Sequence, residues 1–217
     1  GGPLSMTHIT NISRKGIFGA ILSSSTVTTF PDDAANIPYH SYSFDLRYAI
    51  EHLPTLQMVA MYMKQHNYTI NHLILLSDKK KAVVLENNFT GDGFNMRREV
   101  RTENSKLHEG VVWDFDDAIA VVNSFLLAGN YNNHQIYDYN VNRFQEYKEQ
   151  LALMGDSVNL DELQQIVTFY QGDKPEYGEI YSTLTQTIVL FDAKNYILKV
   201  FPRNSTMDFT TGQQVPP

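Results

Sequence analysis

Asn123 interrupts an apolar run, VVNSFLL from Val121 to Leu127, and Arg143 follows on a helical stretch. An amide inside a run that otherwise reads as buried must find hydrogen-bond partners or cost stability. Such an amide can also donate to an oxyanion, and an arginine fork can bind a carboxylate or steady an active-site group. On a strand, Asn123 would share a face with Val121 and Phe125, with Ser124 on the other beside Val122 and Leu126. We expect the Asn123 amide to point into a cleft with a polar end, formed by the Asn-rich turn that follows and by Arg143. The plainer alternatives are an asparagine bonded within the core and an arginine on the surface. SSST, from Ser23 to Thr26, offers hydroxyls for nucleophilic attack or simply a polar bend.

Other chemistries lack their residues. The chain has no cysteine, which removes disulfides, thiolate metal sites and a cysteine nucleophile from it. Its seven histidines are scattered, and none forms a ligand-spaced pair beside Asp or Glu, so no metal site and no cofactor are expected. Neither a phosphate loop, a Rossmann fingerprint, HExxH nor G-x-S-x-G is present. The net charge of -7 and the pI near 5.4 argue against a nucleic-acid partner, since the one basic cluster, SDKKKA, reads as a hairpin turn. No apolar run reaches the ~18 residues that a membrane span needs.

The elements that must position Asn123 and Arg143 follow from periodicity. KGIFGAILSSSTVTTF reads as a strand, a Ser-rich bend and a second short strand, with Gly16 and Gly19 at places of close backbone approach. FDLRYAIEHL begins a helix with Ser43 as N-cap, burying Leu46, Ala49, Ile50 and Leu53. Pro54 ends it and opens a second helix that buries Leu56, Val59, Ala60 and Met63. Two runs of strand formers around SDKKK predict an antiparallel hairpin from about Thr69 to Asn87. AIAVVNSFLLA is expected to be a strand. NRFQEYKEQLALMG is a helix closed by Gly155. Asn159 and Glu162 form a capping box for the next helix. A last hairpin spans Leu184 to Phe201, turning at DAKN. Length and pattern predict one α+β domain over residues 7–217, with GGPLSM at residues 1–6 resembling a cloning remnant.

The order of elements resembles the N-terminal-nucleophile amide hydrolases related to penicillin acyltransferase, choloylglycine hydrolase and acid ceramidase. KGIFGAILSSS is similar to the family's glycine-flanked strand pair beside the active site. The stretch from SFDLRYAIEHL to VVLENN is similar to its two helices and the two strands after them, VVNSF to the strand carrying its catalytic Asn, and TLTQTIVLFDAKNYILKVF to its closing hairpin. The resemblance implies an αββα four-layer sandwich with antiparallel sheets, here without the N-terminal nucleophile strand. It implies hydrolysis of a linear amide C–N bond in a small-molecule substrate, with Asn123 and Arg143 catalytic and Asn71 and Ser24 binding substrate. In that family the nucleophile is an N-terminal Cys activated by its own α-amine. The resemblance therefore implies a nucleophile outside this chain, on a preceding segment or a companion chain. Two alternatives stand beside it. One is a non-catalytic small-molecule-binding relative of the same fold. The other makes Thr7 an N-terminal Thr nucleophile once Met6 is removed.

Overall fold

The computed structural model describes residues 10–12, 15–24, 40–68, 71–88, 97–130 and 138–202. The chain gathers into two compact units, residues 1–136 and 137–217. Helices and antiparallel sheets occur in both, an α+β composition.

The first unit is built on a five-stranded antiparallel sheet of β1 (Thr10–Ile12), β2 (Phe18–Ser23), β3 (His72–Ser77), β4 (Ala82–Asn88) and β5 (Arg97–Arg101), in that spatial order. The expected hairpin is β3–β4, registered Ser77 with Ala82 and His72 with Asn87. Asp78 makes its turn: the Asp78 amide donates to Lys81 O (2.9 Å), and Asp78 Oδ1 accepts the amides of Lys80 (2.8 Å) and Lys81 (3.0 Å). Helices α1 (Tyr42–His52) and α2 (Leu56–Gln65) cover one face of the sheet. The α1 N-cap is Ser41 rather than Ser43, and its side chain makes no capping bond. Thr55, after Pro54, caps α2 by accepting the Met58 amide (3.2 Å).

The packing follows from the two periodicities. Leu46, Ala49 and Ile50 of α1 and Leu56, Val59, Ala60 and Met63 of α2 are buried against Ile17, Ile21, Ile74, Leu76, Val83 and Leu85. Each of the large aliphatic side chains contributes about 1.5–3 kcal/mol by leaving water. Gly19 lies under α1. A Cβ there would stand 2.6 Å from Ile50 Cδ1 and 3.2 Å from Leu76 Cδ2, so any side chain at this position would push those side-chain ends aside.

The run containing Asn123 is not a strand. Residues 118–126 are irregular, and only an isolated antiparallel bridge joins Leu107 to Leu127. The apolar alternation serves another purpose. Ile119, Val121 and Phe125 lie on the second face of the sheet against Leu22, Leu73, Leu75 and Val84. The segment covers the sheet without joining it, and its backbone groups bond elsewhere, as described below.

The second unit holds α3 (Asp138–Met154), α4 (Leu160–Val167) and an antiparallel pair, β6 (Thr187–Asp192) and β7 (Ile197–Pro202). α3 begins before Asn142 and stops at Gly155, whose φ of 80° is the left-handed conformation of a glycine cap. Asn159 and Glu162 form the capping box: Asn159 Oδ1 accepts the Glu162 amide (3.0 Å) and Glu162 Oε2 accepts the Asn159 amide (2.8 Å). Asp192 shapes the β6–β7 turn by accepting the amides of Lys194 (2.8 Å) and Asn195 (3.0 Å). Tyr181, Ile188 and Leu190 form the core of this unit with Leu160, Leu163, Val167, Tyr170 and Phe201 around them. No helix among the described residues is long and apolar enough to cross a membrane.

Candidate active site

Asn123, Ser24 and Asn71 all lie in the first unit. Asn123 is half-buried, and its Nδ2 donates to Ser23 O at 2.8 Å. The next residue, Ser24, donates its amide to Asn71 O (3.2 Å). Ser24 is half-buried and Asn71 is fully buried. Both β2 and β3 present these residues at the same end, where Ser23 pairs with His72. The bond to Ser23 O fixes the plane of the Asn123 amide without any motion of its backbone.

The segment carrying Asn123 is anchored by a carboxylate. Glu86 of β4 is wholly buried and accepts from Arg101 Nε (3.1 Å), Asn130 Nδ2 (2.9 Å) and the backbone amides of Leu126 (2.9 Å) and Leu127 (3.3 Å). Arg101, itself 1% exposed, also donates to Ala120 O (2.7 Å). Burial pushes the Arg101 guanidinium below its ordinary value, and the Glu86 charge and hydrogen bond oppose that. Asn88 Nδ2 donates to Asn130 Oδ1 (3.1 Å). His108 braces the same segment through Nε2 and Phe125 O (3.1 Å), and its amide donates to Leu126 O (3.0 Å). With both carboxylate oxygens bonded, Glu86 positions the Asn123 segment and is itself no candidate acid or base.

Arg143 belongs to the second unit. It lies on α3, half-buried, and its Nε donates to Gly178 O (3.1 Å). Glu146, one turn on, accepts the Ile180 amide (3.3 Å). Burial pushes the Glu146 carboxyl up, while the Ile180 bond and the Arg143 charge pull it down. Thr7 lies outside the described residues, as do Ser25 and Thr26 of the SSST bend.

The structure also gathers residues that linear spacing kept apart. His40, Asp45 and His66 converge where α1 begins and α2 ends, with one potential ligand atom from each lying within 4.8 Å of the others. Tyr68 OH donates to Asp45 Oδ2 (3.0 Å). Burial first, and then the Asp45 charge, hold the Tyr68 phenol far above its ordinary value, so it stays a donor. His72 stacks on Tyr42 with ring centroids 4.9 Å apart, and Asn87 Nδ2 lies 2.9 Å from His72 Nε2. The only trace of this cluster in the sequence is the alternation of His and Tyr through residues 39–72, which the search for close-spaced ligands passed over.

Comparison with known proteins gives no match to any family model, any curated protein or any solved structure.

Proposed function

We propose that the chain supplies the scaffold and the oxyanion-stabilising amide of an N-terminal-nucleophile amide hydrolase, cleaving a linear C–N bond in a small-molecule substrate. The nucleophile comes from residues outside this chain. The observation that carries the reading is the bond from Asn123 Nδ2 to Ser23 O, one residue before the backbone pair of Ser24 and Asn71. These residues come from three separate stretches of sequence, and the two bonds lie at one end of the β2–β3 pair. In the proposed mechanism Asn123 Nδ2 stabilises the tetrahedral oxyanion, Ser24 borders the substrate subsite, and Asn71 holds the Ser24 backbone from beneath. The reading carries with it the αββα fold that the resemblance implies.

The test is expression of the chain together with the residues that precede it in its reading frame. The product is incubated with N-acyl amides, conjugated bile salts, penicillins and acyl-homoserine lactones. Loss of an oxyanion donor costs about 10²–10³-fold in kcat, so Asn123→Leu is expected to lower turnover by that factor, with a stability loss of only about 0.5–1.5 kcal/mol from the bond to Ser23 O. Turnover indifferent to Asn123→Leu refutes the assignment. Ligand binding without any turnover replaces it with the non-catalytic relative.

A further inference from the structure

We propose that His40, Asp45 and His66 form a binding site for a divalent transition-metal cation of the Zn2+ type. His40 lies one residue before the α1 N-cap, Asp45 lies in the first turn of α1, and His66 is the C-cap of α2. His40 Nδ1 stands 3.1 Å from Asp45 Oδ2, and His66 Nδ1 stands 3.5 Å from the same oxygen. A tetrahedral ion with ligand bonds of roughly 2.0–2.1 Å has ligand-to-ligand edges of about 3.3 Å. The two observed separations fall on either side of that edge.

Hydrogen bonding alone leaves the cluster unexplained. His66 Nδ1 is buried and makes no hydrogen bond. A buried polar nitrogen without a partner is costly, and this one faces a carboxylate oxygen already shared with His40 and with Tyr68 OH. A cation between the three residues would give His66 Nδ1 the partner it lacks and would neutralise Asp45. The surroundings hold the ligands as a metal site requires. Tyr68 fixes the carboxylate (3.0 Å), Tyr62 packs edge-on to the His66 ring at 4.4 Å, and Arg98 Nη1 ties down the His66 carbonyl (2.6 Å). The His40 amide donates to Asn67 O (2.8 Å), which secures the backbone of the third ligand. His40 and His66 rings stack at 4.2 Å and 25°, so ligation needs a turn of one imidazole. The His40 side chain, 41% exposed, has that freedom. Two imidazoles and one carboxylate suit zinc, and they leave a fourth position for water or a ligand.

The site uses none of the residues of the amide-hydrolase reading, so its test reads metal binding and not turnover. The full chain, stripped with chelator and freed of any histidine tag, is titrated with Co2+ and then with Zn2+. Expected are one Co2+ per chain with the visible absorption of a four-coordinate ion, its displacement by Zn2+, and a Zn2+-dependent rise in melting temperature. His40→Gln abolishes all three while the circular dichroism spectrum is kept. Tyr68→Phe, which removes the hydrogen bond to Asp45 together with the weak contact to Met63 Sδ, weakens Zn2+ binding by about 10–100-fold. Absence of the four-coordinate spectrum overturns the proposal, as does Zn2+ affinity unchanged in His40→Gln.

Discussion

Replacing Glu86 with glutamine keeps the shape of the side chain and removes its charge from beneath the Asn123 segment. Two effects add. Arg101, 1% exposed, loses its counter-charge while remaining cationic. One glutamine end becomes a donor facing Asn130 Nδ2 or Arg101 Nε, which are themselves donors. Turning the Asn130 amide over would sacrifice its bond from Asn88 Nδ2 (3.1 Å). Breaking a buried ion pair from one side costs about 3–5 kcal/mol, out of a typical domain stability of about 5–15 kcal/mol. The readout is urea unfolding followed by the fluorescence of Trp113, the chain's single tryptophan. It lies in the segment leading to Asn123 and donates Nε1–H to Ala118 O (2.9 Å). Adding Arg101→Met to Glu86→Gln is expected to recover part of the loss, because no unpaired charge remains. A loss below about 1 kcal/mol, the range of exposed ion pairs, refutes the anchoring role given to Glu86.

Gly19→Ala displaces Ile50 Cδ1, the far end of a flexible side chain, and is expected to cost at most about 1 kcal/mol; a loss above about 3 kcal/mol shows that the α1 side chains there cannot yield. Burial pushes the His108 imidazole below its ordinary value of 6.5, against the Phe125 hydrogen bond and the Glu86 charge. The unfolded chain therefore binds the proton more readily than the folded one. His108 contributes stability that is present above about pH 6.5 and declines as pH falls towards its lower folded value. Unfolding titrations between pH 7.5 and 5 are expected to show a steeper decline for wild type than for His108→Gln, and parallel curves count against a neutral buried imidazole.

Local rules in the sequence account for much of the first unit's frame. The β3–β4 hairpin declares itself by two strand-forming runs around an Asp turn, and Pro54 marks the corner between α1 and α2. In the second unit, Gly155 and the Asn159–Glu162 box mark their helix ends with equal economy. What local pattern does not carry is the partner of each polar group. Val121 to Leu127 alternates like a strand, yet its Leu126 and Leu127 amides bond to a carboxylate forty residues earlier in the chain instead of to a neighbouring strand. The α1 start moved from Ser43 to Ser41 because the cap is set by backbone geometry, with no side-chain bond to favour either serine. His40 and His66 were read as unrelated because the turn at Pro54, not their spacing, brings them together. The amide of Asn123 was expected to matter; that its orientation depends on a carbonyl of β2 required the fold.

The topology of the five-stranded sheet also sets the order in which this site can assemble. The β3–β4 pair closes over the short turn at Asp78, whereas β2 and β3 are joined through residues 24–71, which include both helices. Treated as flexible loops, the longer connection costs about 2 kcal/mol more to close, and pairing across it is correspondingly slow. The loop-closure difference leads us to expect the β3–β4 hairpin to pair first and β2 to add to its edge. Ser23 and Ser24 travel with β2, so the carbonyl that orients Asn123 arrives after the strands that anchor the Asn123 segment. A chain halted before that step would keep its Glu86 anchor while the Asn123 amide lacked the carbonyl that orients it.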